Sequence, residues 1–198
     1  MTARSCLASR IGLSLGIIGL ALLLGTGLAH ADFNPFNAYY DNIARAAAEN
    51  DANKVRQLIT SGSNPNETNE ETRTGLHVAA INGNLSIAAI LIKGRAKLDI
   101  TDKLGNTPLH YAADRNQAEM AKLLLDAGAA ADPINRNGAT PLMMAAGRGD
   151  LEIVRALLAK GANPSKTDFT GRDAVGWASD SRRPLVIQAL QRAAATKH

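Results

Sequence analysis

From Ile43 to the C-terminus, apolar and polar positions repeat with a fixed period. Aligned on one apolar residue, the copies fall at Ile43, Leu76, Leu109, Leu142 and Val175, each 33 residues after the last. Within a copy the apolar positions keep helical spacing: Ile87, Ile90 and Leu91, then Met120, Leu123 and Leu124, then Ile153, Val154, Leu157 and Leu158. Such spacing places them on one face of a helix and assigns them to a core. Two helices per copy are predicted. A shorter one follows the aligned position, and a longer one ends at Gly62, Gly128 or Gly161, where glycine can take the left-handed conformation that stops a helix. Arg95 takes that place in the second copy, with Gly94 one residue earlier.

The clearest copies begin Asp102-Lys103-Leu104-Gly105-Asn106-Thr107-Pro108-Leu109-His110-Tyr111-Ala112-Ala113 and Asn135-Arg136-Asn137-Gly138-Ala139-Thr140-Pro141-Leu142-Met143-Met144-Ala145-Ala146. Each reads as a turn followed by a helix start. Thr107 and Thr140 suit the capping position, where a hydroxyl accepts from the exposed N–H groups of the first turn. Pro108 and Pro141 suit the first helical position, where a missing N–H costs nothing. The pairs Ala46-Ala47, Ala79-Ala80, Ala112-Ala113 and Ala145-Ala146 allow close helix approach. The outer copies depart from this pattern. The second has Thr74-Gly75-Leu76-His77 and carries Thr72 where its siblings have turn glycine, and the fifth reads Asp173-Ala174-Val175-Gly176-Trp177-Ala178-Ser179.

A period of 33 carrying T-P-L-H-x-A resembles the ankyrin repeat. The resemblance covers residues 43 to about 193 and implies an all-α solenoid of five stacked helix-turn-helix units with β-turn finger loops. Degenerate outer units suit the ends of such an array. His77 and His110 then stand where ankyrin repeats use imidazole to tie adjacent loops together. The resemblance also implies a cupped hand, with finger turns and a palm of first helices. Partner-facing residues are thereby placed at Glu70, Glu71, Arg73 and Asn82, at Lys103, Leu104, Asn106, Asp114 and Arg115, at Arg136, Asn137 and Arg148, and at Phe169, Thr170 and Arg172. The early finger is acidic and the later hand mainly basic, which points to a protein partner with an acidic face. Phe169 and the arginines are the favoured anchors.

The N-terminus reads as an address. Arg4 and Arg10 precede an apolar run from Ile11 to Ala29, and Ala29-His30-Ala31 follows. A basic start, an apolar core and an A-x-A site make a secretory signal peptide over residues 1–31, with cleavage expected between Ala31 and Asp32. A run of that length nearly spans a bilayer, so the alternative is a retained anchor and a membrane-tethered envelope factor. The leading expectation is a periplasmic monomer that no longer touches the membrane after cleavage. Cys6 is the sole cysteine and leaves with the signal, so no disulfide is available to the remainder. Phe33, Phe36, Tyr39 and Tyr40 gather four of the seven aromatic residues in residues 32–42. They are read as a cap over the first helices. A polar tail is assigned to residues 194–198.

Charge narrows the function further. Removing Arg4 and Arg10 from the 22 Lys and Arg leaves 20 against 18 Asp and Glu, a net charge of +2. Nucleic-acid binding would want a concentrated basic patch and conflicts with export. The remainder has no cysteine nucleophile, no G-x-S-x-G elbow and no Walker-type phosphate loop. No Cys or nearby carboxylate completes a metal site around His77 and His110. The expectation is a non-catalytic binding module with no cofactor and no metal.

Overall fold

A computed structural model describes residues 42–195. The signal segment, nearly all of the aromatic segment and residues 196–198 lie outside the described residues. Among the described residues there are ten helices: α1 Ile43–Ala48, α2 Ala52–Thr60, α3 Gly75–Asn82, α4 Leu85–Lys93, α5 Pro108–Asp114, α6 Ala118–Asp126, α7 Pro141–Arg148, α8 Leu151–Ala159, α9 Ala174–Asp180 and α10 Pro184–Ala195. They form five pairs, and α10 carries two residues of the segment assigned to the tail. Odd-numbered helices pack on one another in sequence, and so do the even-numbered ones. The result is an all-α solenoid of two helical rows. Among the described residues the sole β feature is an isolated bridge between Thr68 and Thr74.

The core lies between the rows. Ile43, Leu76, Leu109 and Leu142 are fully buried, and all four alanine pairs are buried with them. Val175, at the outer unit, is half-buried. Alanine leaves the short helices room to touch backbone to backbone. The longer helices supply bulk through Ile87, Leu91, Met120, Leu124, Ile153, Val154 and Leu157, whereas Ile90, Leu123 and Leu158 pack at its margin.

Local chemistry explains why each helix starts where it does. Thr74 and Thr140 accept from the N–H groups of His77 and Met143 at 3.4 and 3.3 Å. At Thr107 the N–H and the hydroxyl each lie 3.0 Å from His110 Nδ1. Asp51, Asn84 and Asp150 cap the second helices through Lys54, Ile87 and Ile153 N–H groups. Gly75 replaces proline for a packing reason, because a Cβ there would lie 2.6 Å from Ile43 Cγ2. The turn at Thr72 forms as the glycine turns of its siblings do, with Thr72 N–H donating to the Asn69 carbonyl at 2.9 Å. Thr72 sits at φ 57, and Arg95 likewise takes φ 62 in place of a helix-ending glycine. Both hold a conformation that costs an L-residue roughly 1–2 kcal/mol.

Side chains just before the finger turns also tie neighbouring units together. Asn66 Oδ1, Asp99 Oδ1 and Asp132 Oδ2, spaced by one period, accept from the N–H groups of Lys97, Ala130 and Asn163 at 2.7, 3.0 and 2.8 Å.

Candidate functional site

The finger turns are built by one residue per unit: Asn69, Asp102, Asn135 and Asp168. In each, Oδ1 accepts from the N–H groups two and four residues on. The pairs are Glu71 and Arg73, Leu104 and Asn106, Asn137 and Ala139, and Thr170 and Arg172, all at 2.9–3.0 Å. A short polar side chain can bond its own turn in this way and favours it locally. Successive turns are then stitched together. Lys103, Arg136 and Phe169 donate their N–H groups to the carbonyls of Glu71, Leu104 and Asn137 at 3.4, 3.1 and 3.1 Å. The tips therefore form a continuous hydrogen-bonded row.

Buried imidazoles tie this row to the palm. His77 Nε2 donates to the Asn106 carbonyl at 3.0 Å, and His110 Nε2 to that of Ala139 at 3.1 Å. The tautomer follows from the other nitrogen. Backbone N–H groups can only donate, and those of Thr74 and Thr107 meet Nδ1 at 3.1 and 3.0 Å, so Nδ1 is bare and the proton sits on Nε2. Burial drives both imidazoles below their ordinary pKa, His110 to about 4. Every ring nitrogen is engaged, which leaves none for a metal. No group of three His, Cys, Asp or Glu side chains among the described residues is arranged to hold one. Met143 replaces His in the fourth unit, so this tie does not reach the fifth.

Two clusters that the sequence reading did not single out stiffen the palm. Tyr111 donates its hydroxyl to Asp102 Oδ2 at 2.5 Å, and Arg73 reaches the tyrosine oxygen at 3.0 Å while lying 5.3 Å over the ring. In the fifth unit Trp177 Nε1 donates to Asp168 Oδ2 at 2.9 Å, with Arg172 5.2 Å over the indole. Burial alone would raise both carboxyls. Donors outweigh it, led by the Tyr111 hydroxyl at Asp102 and the Thr170 hydroxyl at Asp168, and hold Asp102 below and Asp168 well below the usual range. The signal was present in the sequence as an aromatic donor nine residues after an acidic turn residue.

The predicted partner-facing residues divide three ways. Asn106 does not face a partner. It is 8% exposed and its Oδ1 accepts from Asn135 Nδ2 at 3.0 Å, because the turn aims it along the stack. A second group is spent on internal pairs. Arg148 binds Asp114 through Nη2 at 2.6 Å, with Arg115 3.9 Å from the same carboxyl, around an open cleft of about 430 Å³. Arg172 bonds Asp168 and Asp180, and Arg73 bonds Glu71 and Asp102. Asn82 is exposed at the end of α3. The third group is free at the tips. Glu70, Lys103, Arg136 and Asn137 are exposed, and Lys103 and Arg136 make no ion pair among the described residues. Leu104 is 57% exposed and Phe169 74% exposed, with Phe169 laid on Gly138 and Thr170 beside it. The hand is thus less basic than its cation count, and its cations without an ion pair, Lys103 and Arg136, sit on two finger tips.

Comparison with known proteins agrees with this architecture. The family model for three copies of the ankyrin repeat matches residues 43–137, and that for a single ankyrin repeat matches residues 137–169. Together they cover more than half of the chain. A stretch of 64 residues is 34% identical to the potassium channel GORK of Arabidopsis thaliana, covering 32% of this chain and 8% of the channel. The chain therefore spans a small fraction of that relative's length. Ankyrin repeats generally mediate protein–protein interaction, and by its period, its stack and these matches the chain belongs to the ankyrin repeat family.

Proposed function

We infer that residues 43–195 form a non-catalytic docking module that holds another exported protein on the finger tips and palm. One observation carries the reading. Leu104 and Phe169 are exposed on a row whose backbone is already fixed by Phe169 and Arg136 N–H bonds. Exposed apolar side chains on a fixed backbone, beside unpaired cations, give a partner both an anchor and a charge to meet. A rigid row loses little freedom when a partner binds. An acidic face on the partner complements Lys103 and Arg136, and the module shields or scaffolds whatever carries it.

The compartment proposed is the periplasm, supported by the basic, apolar and A-x-A order of residues 1–31. No helix among the described residues is long and apolar enough to cross a membrane. N-terminal sequencing of the exported protein tests this point. A start at Asp32 fits a released module, and an intact Met1 end makes residues 11–29 an anchor.

The docking reading is tested by a photo-crosslinking side chain placed at Asn137 on the tips and, separately, at Arg155 on the outer helix α8, in cells that express the protein. A discrete adduct from position 137 and none from 155 is the expected result. Adducts from 155 alone would move the interface to the outer helices and overturn the reading.

A further inference from the structure

The tip row also carries a measure of length. From one unit to the next it advances by one helix-packing distance, because the units stack helix on helix, a pitch of about 8–10 Å. The leading tip residues in order are Glu70, Lys103, Arg136 and Phe169. They read acid, cation, cation, aromatic. Two of them lie against the preceding turn, Arg136 with its Cγ over Gly105 and Phe169 with its ring over Gly138. Lys103 and Arg136 are exposed and make no ion pair among the described residues, and Phe169 is 74% exposed.

A ligand that meets these side chains in turn must repeat at the same pitch on one face. An extended β-strand fails, because residues three apart point to opposite faces. An α-helix returns to the same face after seven residues, about 10.5 Å on, and overshoots at every unit. A polyproline II segment has three residues per turn at about 3.1 Å each, so every third side chain returns after roughly 9.3 Å. That matches the row.

We propose that the tip row binds a polyproline II segment of the partner, with acidic side chains at i and i+3 over Lys103 and Arg136 and an apolar side chain at i+6 over Phe169. Glu70 adds a fourth position, since it repels an acid at i−3 and favours a cation there. The proposal rests on the reading of the fingers as the docking surface and adds to it a conformation and a register.

Synthetic decapeptides test it by fluorescence anisotropy on the purified chain. One has the order Lys-Pro-Pro-Glu-Pro-Pro-Glu-Pro-Pro-Leu, a second has the reverse order, and a third moves the second Glu one residue closer to the first without changing composition. One of the two in-register peptides should bind at least tenfold more tightly than the displaced one. Arg136→Glu should remove that advantage, and a peptide with Lys in place of the facing Glu should restore binding to the variant. Equal affinity for in-register and displaced peptides overturns the register and leaves an acidic-ligand surface standing. Absence of binding by all three overturns the proposal, and the adduct at position 137 then decides the wider docking reading on its own.

Discussion

Replacing His110 by Met, the residue that the fourth unit carries at the same place as Met143, converts a titrating tie into a neutral one. The wild-type imidazole is neutral, with Nδ1 accepting from Thr107 N–H and Nε2 donating to the Ala139 carbonyl. A proton added to Nδ1 would confront a donor with a donor inside a dry site. Burial holds the pKa at about 4, against the raising pull of the Ala139 carbonyl and Asp102. In the unfolded chain it returns to about 6.5. The unfolded state therefore binds a proton that the folded state refuses between those values. Stability is fully present above pH 6.5, is lost as pH falls toward 4, and the loss reaches about 3 kcal/mol. His77 shifts in the same direction and adds to the slope. Asp102 and Asp168 are held below the usual range, so their contribution is lost only as pH falls below about 4, outside this window. In His110→Met the Ala139 carbonyl keeps the Asn135 N–H at 3.0 Å, so at pH 7.5 the cost should be near 1 kcal/mol. Urea unfolding of both proteins from pH 7.5 to 4.5 measures the difference. The variant should lose stability less steeply, by up to about 1.4 kcal/mol per pH unit near pH 5. Parallel slopes would refute the assignment of a neutral, buried imidazole.

Other substitutions separate scaffold from surface. Thr72→Gly and Arg95→Gly each relieve a left-handed L-residue and should raise stability by about 0.5–1 kcal/mol in chemical unfolding; a loss in either would mean that its side chain contributes more than its backbone costs. Asn106→Ala leaves Asn135 Nδ2 buried without its acceptor and should cost about 1–3 kcal/mol of stability, with partner affinity unchanged while the protein stays folded. Phe169→Ala should do the reverse, weakening partner binding by about 1–3 kcal/mol while the melting temperature holds.

The stack was legible because its builders repeat: an apolar residue at the aligned position, the alanine pairs and a T-x-L helix start recur at a fixed period, and core packing demands apolar residues wherever they fall. Polar positions were harder to read. Asn106 and Asn137 both belong to finger turns, yet one is aimed along the stack and the other outward, a distinction of side-chain direction that residue type does not encode. Arg148 read as a free cation because its partner Asp114 lies 34 residues away. The same offset joins Asp126 to Lys160 and Asp132 to Lys166, so an acid followed by a cation one period and one residue later is the signal that would have found these pairs. Exposed pairs of this kind add about 0–1 kcal/mol each, but they decide which cations remain for a partner. The capping role of residues 32–42 and the fate of the signal segment fall outside the described residues.

Charge reversal at the tips tests the docking surface most directly. Once the protein crosslinked at position 137 is identified, its association rate should be measured with the wild type, with Lys103→Glu/Arg136→Glu, and with Lys122→Glu/Arg155→Glu on the outer helices, over a range of salt concentrations. Steering by free cations on the tips predicts that the first doublet slows association at least tenfold at low salt and flattens its salt dependence, while the second leaves the rate near wild type. Unchanged kinetics in the tip doublet, or the same loss in the outer doublet, would contradict a finger-tip interface.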